Sequence, residues 1–103
     1  MNKTTTEKLR YLTSEHETIV VLYISTECER CIALMPIFDE LVKEEMFKKI
    51  LFLEIDSTEN HLIRKEIDLT HLPLISIFKK GIIIKNSSVE NEEEFRQILQ
   101  SIV

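Results

Sequence analysis

The stretch TIVVLYIS, Thr18–Ser25, runs directly into TECERC, Thr26–Cys31, and this junction organises the whole chain. The first part is an almost unbroken β-branched and aromatic run, as expected of a strand buried on both faces. From Cys28 to about Glu45 the pattern changes: Leu34, Ile37, Phe38, Leu41 and Val42 recur at helical spacing. The only two cysteines, Cys28 and Cys31, therefore fall where a buried strand ends and a helix begins. A thiol in water has a pKa of about 8.5, which the unpaired amides of a helix N-terminus lower to roughly 3.5–7.5. A second thiol one turn later can attack whatever the first has captured. Arg30 favours the thiolate and Glu29 opposes it, so the intervening dipeptide sets no net direction. Thr26 and Glu29 also have the spacing of a capping box.

Working outward, Thr5–Glu17 reads as a short helix with Leu9 and Leu12 on one face. Ile50–Asp56 (ILFLEID) reads as a second buried strand. Asp56 or Ser57 is placed to cap a helix over Thr58–Ile67, apolar at Leu62, Ile63 and Ile67. Leu74–Lys79 and Gly81–Asn86 read as two strands joined through Lys80-Gly81, a hairpin signal. Asn91 and Glu94 have capping-box spacing ahead of a last helix, with Phe95, Ile98, Leu99 and Ile102 inward. The expected order is α-β-α-β-α-β-β-α. The first β-α-β unit demands a parallel pair with a right-handed crossover, and the hairpin adds an antiparallel edge. The class is α/β, a central mixed sheet with helices on both faces. Met35 and Met46 fall on or beside apolar helix faces and read as core.

A chain of 103 residues is expected to be a single domain over 1–103. With 44% hydrophobic and 30% charged residues it has the composition of an ordinary globular protein. A net charge of −5 argues against a nucleic-acid partner, which needs a dense basic surface. The start, Met1–Lys8, lacks the apolar stretch of a signal peptide, and no apolar run approaches spanning length, so no membrane partner and a cytoplasmic location are expected. In a reducing cytosol a CxxC is redox-active or metal-binding more often than structural. A zinc site needs four ligands, and His16, His61 and His71 are scattered, so no metal is expected within one chain.

Four landmarks at matching intervals give the chain a resemblance to the thioredoxin family over nearly its whole length. The CxxC closes a buried strand and opens a helix, within a βαβ pattern typical of redox-active pairs. Pro36 follows Cys31 by five residues, where the family's active-site helix carries a proline. Pro73 follows an apolar residue just ahead of a strand, as the family's cis-proline does. Phe78-Lys79-Lys80-Gly81 resembles the family's F-K-x-G strand end and turn. This chain departs from the family at the surroundings of the pair. Glu27 stands where a tryptophan usually precedes the first cysteine, and Glu29-Arg30 replaces Gly-Pro. Leu22 occupies the position of the buried acid, the partner lysine falls near Phe52, and Leu74 replaces the threonine after the proline. The segment Asn86–Asn91 lacks the glycine of the substrate-facing loop.

The resemblance implies a thioredoxin fold and a thiol–disulfide oxidoreductase. Cys28 is the implied nucleophile and Cys31 the resolving thiol. The Leu72 backbone ahead of a cis Pro73 would offer strand-like hydrogen bonds to a bound substrate, and Glu29, Arg30 and His71 would line the site. With Leu22 in the acid's place, Glu54 or Glu27 is the candidate proton acceptor for Cys31. No cofactor is implied. The partners are a disulfide-containing protein or small thiol, and an external thiol or reductase as electron donor. The different-class alternative is a binding or chaperone-like module of the same fold with a vestigial or merely regulatory CxxC.

Overall fold

The computed structural model describes residues 1–57 and 72–103. The helix expected over Thr58–Ile67 lies outside the described residues, as does His71. The described elements run β1 (Asn2–Lys3), α1 (Thr6–Glu15), β2 (Thr18–Ile24), α2 (Glu29–Leu41), a 3-10 turn (Glu45–Phe47), β3 (Leu51–Asp56), β4 (Leu74–Lys79), β5 (Ile82–Ser88) and α3 (Glu92–Gln100).

Five strands form one sheet in the order β1-β3-β2-β4-β5. β2 runs parallel to β3, with Val20 beside Phe52 and Leu22 beside Glu54, and antiparallel to β4. The β4–β5 pair is antiparallel, as the hairpin signal required. Its two-residue turn needs positive φ at both positions, and Lys80 (φ 51°) and Gly81 (φ 82°) supply it. β1 was not legible in the sequence. It is two exposed polar residues that pair parallel to β3 at Leu53 and Glu54.

Strand alternation sorts the core into two layers. Val20, Leu22, Phe52, Ile75 and Ile77 face α2 and α3, packing against Phe38, Leu41, Phe95 and Leu99. Ile19, Val21, Leu53 and Ile55 face the other way, against Leu9 of α1. Helices thus cover both faces. The Leu9–Leu12 stripe of α1 behaves as expected, with Thr5 as N-cap accepting the Lys8 amide.

Three expectations are corrected. α2 stops at Leu41 instead of Glu45, and the 3-10 turn breaks its periodicity. Ile37 (41% exposed), one position before the buried Phe38 within α2, and Met46 (48% exposed), in the 3-10 turn, are surface residues, not core. At α3, Asn91 accepts the Glu94 amide as a cap should, but the Glu94 carboxylate returns to the Glu90 amide, one residue earlier than a strict capping box.

α3 is tied to the segment after α2 by a bidentate pair, Arg96 to Glu44, at 2.8 and 2.7 Å. The Arg96 hydrogen bonds hold the Glu44 carboxyl below its ordinary range. A carboxyl whose pKa is lowered by folding stabilises above its unfolded pKa, and that contribution is lost as pH falls through the folded value. Arg96→Ala should therefore lower the melting temperature modestly near neutrality. The gap to the parent protein should close in acid, as thermal scans across pH will show.

Candidate active site

Ser25 directly follows β2 and shapes the turn that presents the cysteines. Its carbonyl accepts the Cys28 amide at 3.1 Å, and its hydroxyl, buried with the rest of the residue, accepts the Glu27 amide at 3.1 Å. The chain thereby enters α2 with Cys28 as the N-cap, and the Cys31 amide donates to Cys28 Sγ at 3.1 Å. The Thr26–Glu29 capping box is thus corrected: a sulfur holds the cap, because Ser25 has already fixed the turn. Cys28 and Cys31 are joined in a disulfide with Cα atoms 5.2 Å apart. Cys28 is 8% exposed and Cys31 1%.

The Leu72–Pro73 peptide bond is cis. Cys28 Sγ lies 3.8 Å from the Leu72 carbonyl oxygen. A disulfide sulfur has no proton to donate, so in this state that approach is a contact. Leu72 is buried with both cysteines, and Tyr23, Ile24 and Leu74 pack around the three. The far side of Pro73 is anchored too, its carbonyl accepting the Val89 amide at 2.9 Å.

Glu29 and Arg30 are exposed on the first turn of α2, and Glu27 is exposed on the turn before it. Ile32, directly after Cys31, is 61% exposed. Tyr23, Ile24 and Ile32 were not singled out from sequence. The position of Tyr23 and Ile24 at the end of the strand feeding the CxxC was the available signal. Burial raises the Tyr23 phenol above its ordinary pKa, with a hydrogen bond to Ser76 opposing.

Glu54 sits beside Leu22 across the parallel pairing and on the same face of the sheet. A carboxylate therefore stands beside Leu22, one strand away. A cavity of about 300 Å³ has Glu54, Asp56, Thr26 and Ile24 in its wall. Ile24 also packs on the disulfide cluster and so belongs to both the cavity wall and the surroundings of the cysteines. Burial is the largest influence on Glu54 and raises its pKa; the N-terminal amine and Lys3 oppose this, and Asp39 and Asp56 reinforce it.

Among the described residues, no group of three or more His, Cys, Asp or Glu side chains is placed to hold a metal ion. No helix among them is long and apolar enough to cross a membrane.

The thioredoxin family model matches residues 2–102. Thioredoxin-3 of Dictyostelium discoideum is 30% identical over 99 residues, covering 95% of this chain and 91% of that protein. Thioredoxin of Ictalurus punctatus is 29% identical over 79 residues, 77% of this chain and 74% of its own. A structure of Plasmodium falciparum thioredoxin superposes with a TM-score of 0.87 at 18% identity, covering all of both chains. Fasciola hepatica thioredoxin superposes at 0.83 with 23% identity over 98% of each chain. These structural likenesses establish the thioredoxin fold. With the family match and a CxxC closed into a disulfide at a helix N-terminus, they lead to one conclusion: the chain belongs to the thioredoxin family and is a thioredoxin-like thiol–disulfide oxidoreductase.

Proposed function

We propose that the dithiol form reduces disulfides of a protein or small-thiol substrate, with Cys28 as nucleophile and Cys31 as resolving thiol. The observation that carries this assignment is the asymmetry of the pair. Cys28 has the greater exposure and accepts an amide at the helix cap, whereas Cys31 is sealed at 1%. The Cys28 thiolate attacks one substrate sulfur, forming a mixed disulfide and expelling the other as thiolate. Cys31 then loses its proton and attacks Cys28 Sγ, releasing the second substrate sulfur and leaving Cys28–Cys31 oxidised. Two electrons pass to the substrate, and an external thiol or reductase returns them. The backbone at Leu72 and Pro73, beside Cys28, receives the substrate chain. A reducing compartment, the cytoplasm, suits this direction, with residues 1–103 acting as one domain. Mapping the alkylated cysteines after brief iodoacetamide treatment of the reduced protein tests the assignment. Cys28 should be labelled first, and preferential labelling of Cys31 would reverse the roles.

For the proton leaving Cys31, the geometry favours Glu54 over Glu27. Glu54 lines the cavity that Ile24 also lines and has a raised affinity for a proton, whereas Glu27 is exposed on the outer turn. A positioned base contributes roughly a hundredfold at the lower end of its usual range. Glu54→Gln should therefore slow the resolving step in single-turnover kinetics by that order and leave the capture step unchanged. The same substitution should raise stability near neutrality. A carboxyl whose pKa is raised by folding contributes fully below its unfolded pKa, and that contribution is lost as pH rises through the folded value. Slower resolution together with a higher melting temperature separates a proton acceptor from a merely structural carboxylate.

A further inference from the structure

β5 is the last strand of the sheet, and among the described residues no strand pairs with the outer edge of Ile82–Asn86. Natural edges are blunted by charge, proline or a bulge. This one has a bulge: Ile77 pairs with Lys85 and Phe78 with Ile83, leaving Ile84 as the extra residue. It nevertheless exposes three consecutive isoleucines, Ile82 at 68% and Ile83 and Ile84 at 51% each. That is a β-branched row in the conformation that accepts another strand. Segment 79–89 also carries Lys79, Lys80 and Lys85 and no Asp or Glu, in a chain of net charge −5. The hairpin itself is thus cationic on an anionic molecule, with Glu15 and Glu17 sharing a surface hollow with Lys80 and Glu94 one with Lys85.

We propose that β5 is a docking strand for an extended segment of a partner protein in which apolar residues alternate with Asp or Glu, added to the sheet as a sixth strand. Main-chain hydrogen bonds along the edge would hold it, with its apolar side chains against the isoleucines and its carboxylates near the lysines. A second copy of this chain is disfavoured as the occupant, since it would bring a further Lys85, with the hairpin's Lys79 and Lys80, to an edge that already carries the same lysines.

The edge also leads to the active site. Ser88, at the far end of β5, pairs with Leu74, and the Val89 amide is bonded to the Pro73 carbonyl. Pro73 follows Leu72, whose carbonyl touches Cys28 Sγ. A segment held on β5 would bring a disulfide lying a few residues beyond it to Cys28. Docking would thus act as a local increase in substrate concentration. This last step rests on the assignment of Cys28 as nucleophile; the docking itself does not.

The test uses two synthetic peptides without cysteine, one alternating Val and Glu, the other Val and Lys. Amide hydrogen exchange of the oxidised protein is followed by NMR. The Val-Glu peptide should slow exchange at outward-facing amides of Ile82–Asn86 at least tenfold, the Val-Lys peptide should not, and added salt should weaken the effect. A Lys79→Glu, Lys80→Glu, Lys85→Glu triple variant should exchange the peptide preference. Equal protection by both peptides, protection elsewhere, or none would overturn the proposal. So would concentration-dependent protection of β5 without peptide, which would make a second copy the occupant. Reduction of 5,5′-dithiobis(2-nitrobenzoic acid) by each variant checks the cysteine chemistry separately, since that small disulfide needs no docking strand.

Discussion

Cys31→Ser should convert the protein from a turnover catalyst into a trap. Cys28 can still attack a disulfide, but no second thiol remains one turn away to attack the mixed disulfide. Turnover should fall by orders of magnitude, and a covalent adduct with the substrate should accumulate on non-reducing gels and in intact-mass spectra. Cys28→Ser should lose as much activity and accumulate no adduct, because the remaining thiol is 1% exposed. The contrast in adduct formation matters more than the shared loss of rate. Equal trapping by both variants would mean that substrate reaches Cys31 directly, against the burial on which the assignment rests.

The second large effect falls on stability. Phe95 of α3 is fully buried, with its ring centroid 4.4 Å from that of Phe38 on α2. This tilted pair joins the two helices on the face of the sheet that carries the active-site helix. Removing a buried phenylalanine costs about 3–5 kcal/mol, because transfer energy is lost and a cavity remains. A domain of this size has roughly 5–15 kcal/mol in all. Each kcal/mol moves the melting temperature by about 4–8 °C, so Phe95→Ala should lower it on the order of 20 °C. Tyr11→Ala, on the exposed side of α1, should change stability by no more than about 0.5 kcal/mol. Calorimetry of the two variants checks both values.

The sequence was most legible where one physical pattern dominated. The run at Thr18–Ser25 marked β2 to within a residue, and Lys80-Gly81 marked the hairpin, because few residues tolerate positive φ at both turn positions. It was least legible where backbone geometry alone decides. Asn2 and Lys3 carry no apolar pattern and form a strand only by pairing with β3. Met46 fits an apolar stripe until the break after Leu41 shifts the phase, and Ile37 turns outward within α2 while the adjacent Phe38 is buried. The cap passed from Thr26 to Cys28 because the buried Ser25 fixes the turn, an effect that spacing does not encode.

At the site, the sequence alone identified the thiol pair and its helix terminus. The cis bond before Pro73 came from the family resemblance. That Leu22 lies beside Glu54 depends on strand register, which residue types do not fix until the fold is known. The proposed proton path from Cys31 rests on that pairing.

All of this chemistry requires Cys28 and Cys31 to form one reversible two-electron couple. Equilibrating the protein in glutathione buffers of graded ratio, quenching by alkylation and resolving the products by mass tests it most directly. A single transition between dithiol and intramolecular disulfide, lost when either cysteine is replaced by serine, is the result expected. Independent modification of the two thiols by glutathione, or no reversible transition, would contradict it.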